Sequence, residues 1–210
     1  MAVSLLELLM GPKSLGRIRS DLFKRQSDYS MVVQEIGMKL NFIWVPYVGN
    51  LTELISLFKR NKDFPDVMVM GVGLWDMLHV NNASEYGSSL SVLRDNIFAL
   101  LPVSSNLDHD SHLFWVGMPT LITSLLNTDA KMEKMTGLMC DLYGDELKRS
   151  RVLHRSGGPI LNLDICLLSG LCGTRCTSDG MHYDGVVYDA AVQIMLNALL
   201  IESDQKPQRR

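Results

Sequence analysis

The chain has 210 residues, 47% of them hydrophobic and 20% charged, with a formal net charge of −3. That length and balance fit one sizeable α/β domain with its own core. They exclude the broad basic footprint of a nucleic-acid binder, and no apolar run is long enough to span a bilayer.

Residues 2–10 read as an apolar helix ended by Gly11-Pro12. This start lacks a basic flank and a small-residue cleavage site, so it does not read as a signal peptide, and taken alone the chain would stay in the cytosol. A polar stretch runs to about residue 30. Residues 40–45, β-branched and aromatic, predict a strand turned by residues 46–49. Asn50 or Thr52 then caps a helix over 53–60. Residues 66–73 form a continuous apolar run, the pattern of a parallel strand buried on both faces. A helix over 88–101 places Leu90, Leu93, Ile97 and Leu100 on one side. A third strand is predicted over 112–118. One long helix over 129–149 carries Met132, Met135, Met139 and Leu142 at helical spacing, a stripe read as core. A fourth strand falls on 160–168. The last helix, 186–200, turns Val187, Ala191, Ile194, Met195 and Ala198 inward. Residues 1–202 thus make one domain, and 203–210 a disordered tail. Strands alternating with helices predict a parallel sheet covered on both faces, with sites at the carboxyl ends of its strands.

Several side chains invite chemistry. Asp179 stands three residues before His182 in Ser178-Asp179-Gly180-Met181-His182. A carboxylate so placed can fix the imidazole tautomer and leave the other ring nitrogen free to take a proton from a nucleophile. Gly73, on the turn after the second strand, and Gly49, after the first, let backbone approach a ligand, with an N–H free to face an oxyanion. Asp108-His109-Asp110-Ser111-His112 is crowded and reads as the solvated entry to a strand rather than a metal site. His79 reads as a surface residue. Lys148, Arg149, Arg151 and Arg155 complement a helix dipole, or bind an acidic sugar. Cys140, Cys166, Cys172 and Cys176 form no Cys-x-x-Cys and have no interleaved histidines, so no zinc site and no cofactor are expected. Free thiols are the plain reading; an oxidising lumen would allow a disulfide of Cys172 with Cys176 or Cys166. Asn50-Leu51-Thr52 and Asn82-Ala83-Ser84 are glycosylation sequons and favour a lumenal origin.

Gly49, Gly73-Leu74-Trp75-Asp76 and Asp179-Gly180-Met181-His182, in that order, resemble three of the four sequence blocks of the SGNH, or GDSL-type, hydrolases. The segments PDVMVMGVGLWDMLH and DGMHYDGVVYDAAVQIMLNAL are similar to the lumenal domain of sialic-acid O-acetyltransferase-like proteins and to plant PC-esterase-type proteins. The resemblance implies a flavodoxin-like parallel sheet flanked by helices. It implies a serine that attacks an acetyl donor and passes the acyl group to a sugar hydroxyl or to water. His182 would be the general base, Asp179 its orienting acid, and Gly49, Gly73 and Trp75 the oxyanion and substrate-binding residues. The partners implied are a glycan or polysaccharide and an acetyl donor, in the Golgi or secretory lumen.

Two departures stand out. Trp75 occupies the place of the superfamily's oxyanion asparagine, and an indole donates with a different reach. No Gly-Asp-Ser occurs anywhere, so no nucleophile is assigned, and residues 2–10 look like the body of the helix that block opens. Ser4 lacks the glycine and aspartate that shape such a turn, and Ser178 reads as a turn or cap residue. The first, central strand of the sheet is then expected to be missing. An open slot would leave buried N–H and C=O groups unpaired at about 1–3 kcal/mol each. Residues 42–45 should therefore pair directly with 67–70, or be poorly held. The reading is an O-acetyltransferase or acetylesterase-like domain with little or no turnover of its own; the alternative is a non-catalytic fragment that binds a glycan or a protein.

Overall fold

The computed structural model describes residues 1–11, 27–98 and 111–205. Three parallel strands form the main sheet: β3 (Val67–Met70), β4 (His112–Val116) and β5 (Leu161–Leu163), in that spatial order. Val67 stands beside His112, and Phe114 beside Leu161. A separate antiparallel hairpin joins β1 (Tyr29–Val33) to β2 (Met38–Phe42). Gly37, in the left-handed region, ends the short turn between them.

Pleat alternation on β4 builds the two faces of the core. Trp115 points into the larger cluster, with Met70 and Ile160. Against it pack α2 (Val48–Asn61), α3 (Ala83–Phe98) and α5 (Gly137–Arg149) through Leu51, Ile55, Leu90, Leu93 and Tyr143. Phe114 and Val116 point the other way. There, with Leu163, they meet Met195 of α7 (Gly185–Gln205) and Met1 and Leu5 beside or within α1 (Ala2–Met10). Leu6 of α1 turns to the hairpin and packs with Val33. The architecture is α/β, a parallel sheet flanked by helices.

Several expectations need correction. The strand predicted over 40–45 lies at Met38–Phe42 and pairs with β1, a strand that the sequence reading did not predict, and not with β3. Residues 43–46 have no regular structure. Among the described residues β3 is an edge strand of its sheet, and its apolar run is not buried on both faces: Val67 and Val69 are 38% and 40% exposed. The helix predicted from 53 begins at Val48, after an N-cap Tyr47 with no side-chain bond. Asn50 and Thr52 lie inside it, and Thr52 Oγ1 donates back to the Val48 carbonyl. The helix predicted from 88 begins at Ala83, because the Asn82 side chain caps it by accepting the Glu85 N–H.

The single long helix over 129–149 is two, α4 (Asp129–Lys134) and α5. Thr128 and Thr136 each accept a first-turn N–H at their own N-terminus. The break resets the helical phase, so the methionine stripe does not face the core as one: Met135 is buried, whereas Met132 and Leu142 are exposed. The fourth strand stops at Leu163, where Asp164 caps α6 (Ile165–Cys172). On α7, Val187, Ala191 and Met195 are buried and Ile194 is exposed. That helix continues through Gln205, into the predicted tail. Leu100, the cluster at Asp108, His109 and Asp110, and residues 206–210 lie outside the described residues. No helix among the described residues is long and apolar enough to cross a membrane.

Candidate functional site

Parallel strands end together, and the loops leaving Met70, Val116 and Leu163 open at one end of the sheet. The loop of residues 177–184 is docked onto the segment that leaves β4. Ile122 N–H donates to the Gly180 carbonyl at 2.9 Å, and Tyr183 Oη donates to the Thr120 carbonyl at 2.7 Å. Thr120 N–H in turn donates to the buried Ser169 Oγ of α6 at 2.8 Å. Thr177 Oγ1 accepts the Gly180 N–H, and Asp184 N–H donates to the Cys176 carbonyl. A disulfide joins Cys172 to Cys176 at the loop's start, which resolves the open pairing; Cys140 and Cys166 are free thiols. Gly180 has φ +76°, and a Cβ there would overlap the Ile122 carbonyl. The tight turn therefore depends on a glycine.

This loop brings together the pair expected from sequence. His182 Nδ1 lies 2.6 Å from Asp179 Oδ2. The other carboxylate oxygen, Oδ1, accepts the His182 N–H at 2.8 Å and the Met181 N–H at 3.1 Å. The turn therefore fixes the carboxylate before it fixes the ring. Partial burial pulls the Asp179 carboxyl up, but the His182 ring and these two N–H groups outweigh it and hold it at about 2. The imidazole is 74% exposed. With Nδ1–H directed to Asp179, Nε2 of the neutral ring carries a free lone pair.

Gly73 is buried with φ +131°, and a Cβ there would crowd Met118 Sδ at 2.9 Å and Tyr86 Oη at 3.1 Å. It joins the β3 exit to the β4 exit. Gly49 sits exposed in the first turn of α2, with open space where a Cβ would be. Its N–H is among the four a helix start leaves without an intrahelical partner.

Trp75 precedes a single π-helical turn, Asp76–Val80. Its indole is half-buried and committed to a group of rings: stacked on His79 at 4.9 Å and nearly perpendicular to Trp44 and Tyr47. The next residue, Asp76, is buried and accepts the Val48 N–H, while its Oδ2 has no hydrogen-bond partner. Burial raises the Asp76 pKa, opposed by that N–H. Sequence reasoning quoted Asp76 in the block Gly73-Leu74-Trp75-Asp76 but gave no role to it, to Trp44 or to Tyr47. The available signals were aromatics flanking Pro46 and the Trp75/His79 spacing of four.

The remaining side chains singled out from sequence lie as follows. Ser4 is buried in α1, and Ser178 is an exposed turn residue. In the basic run, Lys148 pairs with Asp145 and Arg149 with Glu146 on the same helix. Asn50 and Asn82 are both exposed, as sequons require.

No protein-family model matches the sequence. The chain is 50% identical over 215 residues to Protein ALTERED XYLOGLUCAN 9 of Arabidopsis thaliana, a match covering 98% of the chain and 58% of that relative. The chain thus spans less than two thirds of the relative's length. Among solved structures, a carbohydrate acetylesterase family member from Sinorhizobium meliloti is similar over 69% of this chain and 67% of its own. That similarity has a TM-score of 0.40 and 14% sequence identity. The similarity of weight is therefore to a plant protein whose name refers to xyloglucan.

Proposed function

We propose that this chain is an SGNH-type O-acetyltransferase or acetylesterase-like domain acting on glycan O-acetyl groups. The single observation that carries the reading is the Asp179–His182 pair: a ring held by a carboxylate through Nδ1, with its other nitrogen open to solvent. In this role Nε2 takes the proton of an attacking hydroxyl and later returns it to the leaving oxygen. Asp179 keeps the tautomer and stabilises the imidazolium that forms. Gly49 and Gly73 would supply backbone N–H groups toward the oxyanion, and Trp75 would contact substrate. The attacking serine is not in this sequence, which contains no Gly-Asp-Ser, so the chain by itself should turn over little or nothing.

Between the two branches of the resemblance, the plant relative favours a plant cell-wall glycan over a sialylated one, and its name points to xyloglucan. A secretory-lumen setting agrees with the Cys172–Cys176 disulfide and two exposed sequons. The test is acetyl-ester hydrolysis and acetyl transfer to xyloglucan oligosaccharide by the purified chain. Turnover above buffer that disappears in His182→Ala would show that a nucleophile is present after all. The missing nucleophile block favours a second reading, a non-catalytic glycan- or protein-binding module. An in-frame Gly-Asp-Ser in the transcript upstream of Met1 would decide for the enzyme.

A further inference from the structure

Trp44 follows β2, Tyr47 is the N-cap residue of α2, Trp75 precedes the π-helical turn after β3, and His79 lies within that turn. The bond from Val48 N–H to the buried Asp76 carboxylate joins these two segments at the residues that follow Tyr47 and Trp75. Trp44 and Tyr47 each stand at 84° to Trp75, with centroids 5.8 and 6.2 Å away. Tyr47 also meets His79 edge-on at 6.4 Å. Three of the rings are half-exposed and His79 is exposed, so the planes form an open aromatic corner at the sheet end that also carries Asp179 and His182. A surface cluster of this kind marks a contact site, and π-helical turns are frequent at functional sites.

The chemistry of the corner selects its ligand. A pyranose presents an apolar C–H face and a rim of hydroxyls, which suits aromatic faces set among polar backbone. Neither ring-bearing segment, residues 40–58 or 63–93, contains a lysine or arginine, so nothing there favours an anionic sugar. We propose that Trp44, Tyr47, Trp75 and His79 form a subsite for a neutral pyranose unit of the glycan backbone. The proposal rests on the glycan reading above for its ligand class, but not on any turnover.

Binding can be followed by tryptophan fluorescence, because Trp115, the third indole, is buried in the core and leaves Trp44 and Trp75 as reporters. The probe is xyloglucan heptasaccharide, with an oligogalacturonide as the acidic comparison. The expected result is a saturable change for the heptasaccharide. It should weaken about tenfold in Trp44→Ala and in Tyr47→Ala, recover in Trp44→Phe and Tyr47→Phe, and stay unchanged in Val92→Ala on the exposed face of α3. Thermal unfolding of each variant confirms that it is folded, and isothermal calorimetry replaces fluorescence for the Trp44 variants. Undiminished heptasaccharide binding by folded Trp44→Ala and Tyr47→Ala would overturn the subsite while leaving the glycan reading standing. Equal or tighter binding of the oligogalacturonide would overturn the neutral ligand. No binding by the folded wild type at millimolar probe would overturn the subsite outright; the acyl-transfer reading would then be judged separately, by turnover of a polypeptide that supplies the serine.

Discussion

Replacing Gly180 by alanine tests how the Asp179–His182 loop is held. The residue sits at φ +76°, where an L side chain costs about 1–2 kcal/mol. Its new Cβ would overlap the Ile122 carbonyl and come within 3.1 Å of Leu125 Cβ. Backbone rather than a flexible side chain is in the way, so the loop must lift. The bond from Ile122 N–H to the Gly180 carbonyl, 2.9 Å long, would go with it, at a net cost of about 1 kcal/mol. Together these give a loss of about 2–3 kcal/mol, a large fraction of the ~5–15 kcal/mol that a domain commands. Urea unfolding of wild type and variant measures it, and the ring resonances of His182 in NMR report whether the loop has moved. A loss below about 0.5 kcal/mol with unshifted His182 signals would refute the docking argument, since surface changes without strain fall in that range.

Two acids should give opposite pH signatures. Asp179, held at about 2 against an ordinary 3.8, contributes stability that is present above pH 3.8 and is lost as pH falls through about 2; Asp179→Asn should abolish that acid limb of the stability curve. Asp76 is raised by burial, so its contribution is favourable when protonated and fades as pH rises, and Asp76→Asn should flatten that dependence while keeping the bond from Val48 N–H. Reducing the Cys172–Cys176 disulfide should lower stability by about 2 kcal/mol on loop-closure grounds, seen as a fall in Tm with dithiothreitol; an unchanged Tm would contradict the bridge's structural role. Hydrogen exchange should protect the amides of β4, paired on both sides, more than those of edge strand β3. Equal protection of the two would mean that another strand covers the β3 edge.

Much of the layout was legible because it rests on short-range rules. Asp179, Gly180 and His182 lie within one turn, so their meeting needs only local backbone geometry, and spacing alone suggested it. The β4 strand and the inward residues Leu90, Leu93 and Ile97 follow from periodicity. What failed depends on distant partners or on punctuation. The run at residues 66–73 reads as buried because pattern cannot tell a central strand from an edge strand; among the described residues β3 is an edge strand, and Val67 and Val69 are exposed. Thr136 and Asp164 cap helices inside segments whose apolar content suggested continuity. The ring corner was invisible because Trp44 and Trp75 lie 31 residues apart in sequence and meet only through the fold.

The central claim is that His182, steered by Asp179, is the base of an acyl-transfer site. It is tested most directly by a polypeptide that carries an in-frame Gly-Asp-Ser together with this chain, assayed for acetyl transfer to xyloglucan oligosaccharide and for acetyl-ester hydrolysis. The account predicts turnover that falls on the order of 10³–10⁴-fold in His182→Ala and also falls in Asp179→Asn. Turnover that survives His182→Ala undiminished would contradict it.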